Sequence, residues 1–252
     1  DISAYEALYK RIVRAFRQAY PVYQTQTECT LTVYFALAED TQRTADQLAQ
    51  MIRSCGTKLQ TGFVGTPYLL HALSAHGYTE LAYDLLLRRE YPSWLYPVTK
   101  GATTIWEHWD GQMENGDFWS SDMNSFNHYA YGAIGDWLYR DAAGLRETSA
   151  GFKTIAVKPH AGGGFTSMKA EQNTPYGRAA AEWHDENGVF TLEVTIPVNT
   201  TAEIYVPSSS ADRVTLDGAP LADAADVVCD GYADGYTKVK VGSGTYRFEA
   251  AK

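Results

Sequence analysis

The sequence has few cysteines, an excess of acidic over basic groups, and no long apolar run. Its 252 residues hold three cysteines, Cys29, Cys55 and Cys229. They lie far apart, are odd in number and have no metal-ligand spacing, so they read as free thiols and not as a disulfide framework or a zinc site. Lysine and arginine number 21 against 30 aspartates and glutamates, a net charge of −9. That balance argues against nucleic acid or an anionic membrane as partner. No apolar run reaches the ~18 residues of a membrane-spanning helix. The loop Gly162-Gly163-Gly164 lacks the lysine and the serine or threonine of a phosphate-binding loop. His71, His76, His160 and His184 have no partners at ligand spacing, so no metal site is expected. No cofactor is implied. Low-complexity segments and repeats of ~20–50 residues are also missing. Neither an initiator Met nor a signal peptide opens the sequence at Asp1, so it reads as a piece of a longer chain whose compartment is not legible.

What is present is ordinary globular composition with one excess. Hydrophobic residues make up 45% and charged residues 20%, enough apolar content to fold. Aromatics reach 13%, with 18 Tyr and 6 Trp. Most serve large cores, and the surplus suits a surface that handles carbohydrate, because pyranose C–H faces pack on aromatic rings.

The first part of the chain has helical period. Ser3 and Glu6 have the spacing of a capping box, and Tyr5, Leu8, Ile12 and Phe16 follow on one face until Pro21. Leu31, Tyr34, Phe35 and Ala38 form a second stripe, and Ala45, Leu48, Ala49 and Ile52 a third that Gly56 closes. Thr66-Pro67 opens a fourth helix with Thr66 as cap, Thr79-Glu80 a fifth, and Phe126 to Leu138 marks a sixth. Connections are short except near 56–66 and across 91–121. Long irregular loops in a compact helical domain are usually functional.

The period changes after Gly144. Strands are expected at Lys153–Val157, Arg178–Trp183, Val189–Val198, Glu203–Val206, Arg213–Leu216, Thr237–Val241 and Thr245–Glu249. Asn187-Gly188 is a hairpin turn signal, and Asp217-Gly218 marks another turn. Short strands at this spacing suit an antiparallel sandwich. The expected division is a helical domain over 1–146 and a β-sandwich over 147–252, the two meeting between Ala143 and Phe152.

Chemistry concentrates in Trp106-Glu107-His108-Trp109-Asp110-Gly111. A carboxylate held against indoles has a tunable pKa, and acid/base chemistry requires that. Trp106 and Trp109 are divided between site and core, and at least one belongs to the core. Trp94 and Tyr96 are candidate sugar platforms. Asp110 and Asp117 sit beside glycine and read as turn formers. Asp122 reads as a cap for the sixth helix, Asn124 and Asn127 as loop-orienting groups, and Lys100 as a carboxylate partner.

The same residues carry a resemblance. Gly101-Ala102-Thr103-Thr104-Ile105-Trp106-Glu107-His108-Trp109-Asp110 follows Tyr91-Pro92-Ser93-Trp94-Leu95-Tyr96 and precedes Asn124-Ser125-Phe126-Asn127-His128-Tyr129-Ala130-Tyr131-Gly132. In this order they resemble family 78 of the glycoside hydrolases, the bacterial α-L-rhamnosidases, from about Leu31 to Gly177. The resemblance implies an (α/α)6 toroid followed by an antiparallel β-sandwich, of which these helices supply the second half. It implies inverting hydrolysis of rhamnose-containing glycosides or polysaccharides, with Glu107 as general base and His128 in contact with the bound sugar. The family's general acid lies in an Asp/Glu-rich loop of the first half of the toroid, and no stretch here matches it. The missing N-terminal half is therefore an expected partner, and the chain alone is expected to be inactive.

Two other readings stay open. One is a non-catalytic carbohydrate-binding chain. The other is a different α/α-toroid enzyme, a polysaccharide lyase or a glycoside phosphorylase, although the sequence has neither a basic cluster nor evident phosphate donors.

Overall fold

The computed structural model describes residues 2–251. It separates into two compact units, Asp1–Ile134 and Gly135–Lys252.

The first unit is helical: α1 (Ile2–Ala19), α2 (Gln26–Tyr34), α3 (Thr41–Ser54), α4 (Thr66–Ser74), α5 (Thr79–Leu87) and the short α6 (Leu95–Thr99). Its core comprises Cys29, Leu48, Ala49, Ile52, Leu69, Leu73, Leu81, Tyr83 and Leu85, contributed by α2 to α5. A helix takes most of its stability from burying such a face. The stripe of α1 is different. Tyr5, Leu8 and Ile12 are 73%, 40% and 53% exposed, and Val13 alone on that helix is buried. The helix is held instead by Arg17, whose guanidinium donates to the carbonyls of Leu37 (2.8 Å) and Ala38 (2.7 Å).

Three capping expectations need correction. Ser3 lies inside α1, which already begins at Ile2. The capping box belongs to α2, where the Thr25 hydroxyl accepts from the Glu28 amide (3.1 Å) and the Glu28 carboxylate accepts from the Thr25 amide (2.9 Å). The amides of Gln24 and Thr25 hold the Glu28 carboxyl below the usual range. The cap of α4 is Gly65, and Thr66 is the first helical residue. A Cβ at Gly65 would sit 2.9 Å from Thr27 Oγ1, so close packing selects glycine there. The Thr66 hydroxyl instead bonds that of Thr61 (2.8 Å).

The sixth expected helix starts late and is irregular. It runs as a 3-10 turn (Ala130–Ala133), one α turn, α7 (Ile134–Trp137), and a π stretch (Leu138–Ala142). Asp122 does not cap it. The residue before the first turn is Tyr129, without a side-chain bond, and the Asp122 amide bonds Ser120 Oγ (3.1 Å).

In the second unit helix gives way to strand at Leu145. The strands are β1 (Leu145–Glu147), β2 (Thr154–Val157), β3 (Ser167–Thr174), β4 (Gly177–Glu186), β5 (Val189–Ile196), β6 (Thr201–Pro207), β7 (Val214–Leu216), β8 (Ala219–Pro220), β9 (Val228–Ala233), β10 (Tyr236–Val241) and β11 (Gly244–Ala251). They form two sheets, ordered β1-β2-β6-β10-β9 and β3-β4-β5-β11-β7-β8. All pairings are antiparallel except β2 with β6, which is parallel. The hairpin at Asn187-Gly188 joins Glu186 to Val189 with φ of 53° and 78°, the primed turn that the residue pair favours. Asp217-Gly218 and Asp234-Gly235 make the same kind of turn.

Trp183, Phe190, Leu192, Ile204, Val206, Val239 and Phe248 are fully buried in one cluster. The Trp183 indole N–H donates to the Ala142 carbonyl (2.9 Å). That bond and the buried Ala143 draw the end of the helical run into the sandwich core, so the compact units divide well before the first strand.

Candidate active site

The long loop from Lys100 to Tyr129 folds back on itself. The Glu107 amide donates to the Ser125 carbonyl (3.0 Å), and the His128 amide donates to the Ile105 carbonyl (2.8 Å). The Thr104 hydroxyl bonds the Phe126 carbonyl. These bonds clamp residues 104–107 alongside 125–128, so the arm carrying Glu107 and the arm carrying His128 are neighbours. Between them residues 111–119 form a small hairpin. The Trp119 amide reaches the Gly111 carbonyl (3.1 Å), Met113 bonds Asp117 (2.8 Å), and Gln112 bridges Phe118. Asp117 accepts the Asn115 side-chain amide (2.7 Å) at its tip and is a turn residue. Asn124 orients the return arm by bonding both the amide and the carbonyl of Ser120.

Behind the arms lies a layer of aromatics. Trp109 stacks on Tyr131 with ring centroids 3.7 Å apart and planes at 14°. Trp94 meets Trp109 edge-on at 5.3 Å, and its indole N–H donates to the Tyr131 carbonyl (2.9 Å). Trp106 meets Phe126 edge-on at 5.0 Å. Tyr96 donates its hydroxyl to the Gln112 carbonyl (3.0 Å). These four predicted aromatics, Trp94, Tyr96, Trp106 and Trp109, are only 4–9% exposed. They form a packed wall, in which the Trp94 indole and the Tyr96 phenol have the hydrogen-bond partners that buried polar hydrogens require. Lys100 lies over the Tyr96 ring at 5.4 Å and reaches the Glu114 backbone carbonyl (3.4 Å).

Glu107 is half-buried, as is His128. The Tyr131 phenol is pushed up, first by burial and then by the charges of Tyr91 and Glu107, which places it within the field of the candidate base. Tyr91 and Tyr96 are raised chiefly by burial and also feel Asp110. Among the described residues no group of three or more His, Cys, Asp or Glu side chains could hold a metal ion, and no helix is long and apolar enough to cross a membrane.

Three residues enter the site without having been singled out. Phe63 stacks on His128 (4.9 Å, 8°), and the irregular loop at 56–66 was its only signal. Trp119 stacks on His108 (3.7 Å, 13°), and Tyr131 lies inside the quoted motif. Chemically the arrangement offers the Glu107 carboxylate, two imidazoles and, acting on Tyr91 and Tyr96, the Asp110 carboxylate beside an apolar wall. That set can accept a proton from water and hydrogen-bond a hydroxylated ligand.

The family model described as the bacterial alpha-L-rhamnosidase 6 hairpin glycosidase domain matches residues 1–142, and that of the bacterial alpha-L-rhamnosidase C-terminal domain matches 144–219. An alpha-L-rhamnosidase of Streptomyces avermitilis is 39% identical over 98% of this chain and 24% of its own length. One from Formosa agariphila is 38% identical over 98% of this chain and 28% of its own. The crystal structure of the Streptomyces avermitilis enzyme complexed with L-rhamnose superposes with a TM-score of 0.92 at 38% identity, over 99% of this chain and 24% of that one. The enzyme from Aspergillus terreus gives 0.84 at 32% identity, over 99% of this chain and 28% of that one. The chain thus spans about a quarter of the length of the relatives it matches. With a family model covering its helical part and another its sandwich, the chain belongs to the bacterial alpha-L-rhamnosidases.

Proposed function

We propose that this chain supplies the general base and part of the sugar-binding wall of an inverting α-L-rhamnosidase. Glu107 is the base and His128 contacts the rhamnose. The observation that carries the reading is the clamp between residues 104–107 and 125–128, which seats the carboxylate and the imidazole on adjacent arms. The relatives are named alpha-L-rhamnosidases, which supports a rhamnose-containing glycoside or polysaccharide as substrate.

In this scheme Glu107 takes a proton from water. The water oxygen bonds to the anomeric carbon on the face opposite the leaving oxygen, and the old C–O bond breaks. A second carboxyl group, roughly 6.5–9.5 Å from the base, protonates the leaving oxygen. That acid comes from a part of the enzyme beyond these residues. Asp117 and Asp122, two other carboxylates of the loop, are engaged in its turns. Trp106, Trp109, Trp94 and Tyr96 form the apolar wall against which the sugar and the carboxylate lie. Their small exposure makes Trp106 and Trp109 backing for the site more than open stacking faces.

Proton NMR of a fresh aryl α-L-rhamnoside digest by the full-length protein tests the stereochemistry. β-L-rhamnose should appear first and then mutarotate. If α-L-rhamnose appears first, the reaction retains configuration and Glu107 is no general base of this kind.

A further inference from the structure

The loop between α3 and α4 is fixed on both sides of Phe63. Before it, the buried Gln26 side chain donates to the Lys58 carbonyl (3.0 Å) and accepts from the Gln60 amide (2.9 Å). After it, the amides of Gly65 (3.2 Å) and Thr66 (3.0 Å) both bond the Gly62 carbonyl. A loop tied this way holds its tip residue in place. Phe63 is nevertheless 43% exposed. Its ring lies nearly parallel to the His128 imidazole, with centroids 4.9 Å apart and planes at 8°. It also meets Tyr131 at 5.1 Å and 49°, which links it to the Trp109 layer.

A parallel stack fixes the plane of an imidazole but not which edge faces which way. A half-turn about the Cβ–Cγ bond keeps the plane and exchanges the nitrogen and carbon edges. The choice is made by the Ala130 amide, which donates to His128 Nδ1 (3.3 Å). A backbone N–H can only donate, so Nδ1 is the acceptor and the neutral ring carries its proton on Nε2.

We propose that Phe63 is a positioning residue of the sugar site: its stack, together with the Ala130 N–H, holds His128 as an Nε2–H donor aimed at a rhamnose hydroxyl. The proposal rests on the reading of His128 as a sugar contact. It assigns the neighbouring hydroxyl oxygen the accepting role and makes the loop at 57–65 a determinant of rhamnose affinity rather than of bond cleavage.

Two measurements test it. The first is long-range ¹H–¹⁵N NMR of the imidazoles at a pH where histidine is neutral. His128 should show an unprotonated Nδ1. Phe63→Ala should bring in the second tautomer, and Phe63→Tyr, which keeps the ring, should restore the first. A protonated Nδ1 in the unaltered protein, or an identical spectrum in Phe63→Ala, overturns the proposal. The second is kinetics of the full-length protein on an aryl α-L-rhamnoside. Phe63→Ala should raise KM about fivefold, as coupled neighbours do, with kcat little changed. In a His128→Ala background the same change should add nothing. An equal increase in both backgrounds shows that Phe63 acts without His128 and overturns the proposal while leaving His128 its role. If His128→Ala alone leaves KM unchanged, the sugar-contact reading fails and the positioning role fails with it. The NMR result distinguishes that outcome from a failure of the stack.

Discussion

The Glu107 amide donates to the Ser125 carbonyl at 3.0 Å. The bond uses backbone atoms at both ends, so the position of the carboxylate's Cα does not depend on its own charge. It ties the Trp106–Gly111 arm to the Asn124–His128 arm. Two motifs separated by a hairpin thereby become one site. The side chain of Glu107 remains available for chemistry, because its anchoring is done by the main chain.

Gly144 holds the crossover from the helical run to β1. Its φ is +86°, and a Cβ there would lie 2.3 Å from the Pro159 nitrogen and 2.4 Å from the Lys158 carbonyl carbon. Backbone cannot move aside as a flexible side chain can, and the left-handed conformation itself disfavours alanine. Gly144→Ala should destabilise the protein by about 2–4 kcal/mol, strain and overpacking together. Urea unfolding followed by the fluorescence of buried Trp183 measures this. A change below about 0.5 kcal/mol would mean that the chain relaxes there freely.

Cys29 gives the stability a pH dependence. Burial first, and then the charge of Glu28, push its thiol up to about 11. An unfolded thiol titrates near ~8.5. The folded state therefore keeps the proton longer. Its contribution is fully present below the unfolded pKa and is lost as pH rises toward the folded one. Between those values the slope approaches about 1.4 kcal/mol per pH unit. Stability should fall more steeply from pH 8.5 to 11 in the unaltered protein than in Cys29→Ala. Parallel slopes would contradict it.

What the sequence shows and hides follows from burial. The strands expected from alternation, such as Phe190, Leu192, Val194 and Ile196 in β5, are central, with one face in the core. The four strands that were not expected, β1, β3, β8 and β9, are the four sheet edges. β3 buries only Ala170 and exposes most of its polar residues, so it has almost no apolar period to detect. Edges carry such sequences because an apolar edge would pair with other chains. In the site, Glu107 and His128 stand out through the motif that contains them. Phe63 does not, because its partner lies in a distant loop and one aromatic in an irregular stretch has no period. Ser3 and Glu6 have the spacing of a capping box, but Ser3 lies inside α1, whereas Thr25 and Glu28 close the box at the start of α2.

The exposed stripe of α1 has a consequence for the isolated chain. Tyr5, Leu8 and Ile12 present a contiguous apolar helix face, and such faces associate. The 252 residues purified alone should self-associate with rising concentration, and Leu8→Glu with Ile12→Glu should reduce this. They should also fail to turn over an aryl α-L-rhamnoside, because the proposed mechanism draws the acid partner of Glu107 from beyond these residues. Sedimentation velocity and a fluorogenic assay check both. A monomer at all concentrations with full turnover would contradict them.

In the proposed mechanism Glu107 activates water. Glu107→Gln keeps the side-chain shape and the amide bond to Ser125 while removing the base. In the full-length protein, kcat on an aryl α-L-rhamnoside should fall at least about a hundredfold, the low end of what a positioned base contributes, with KM little changed. Turnover equal to that of the unaltered enzyme would remove Glu107 from the mechanism.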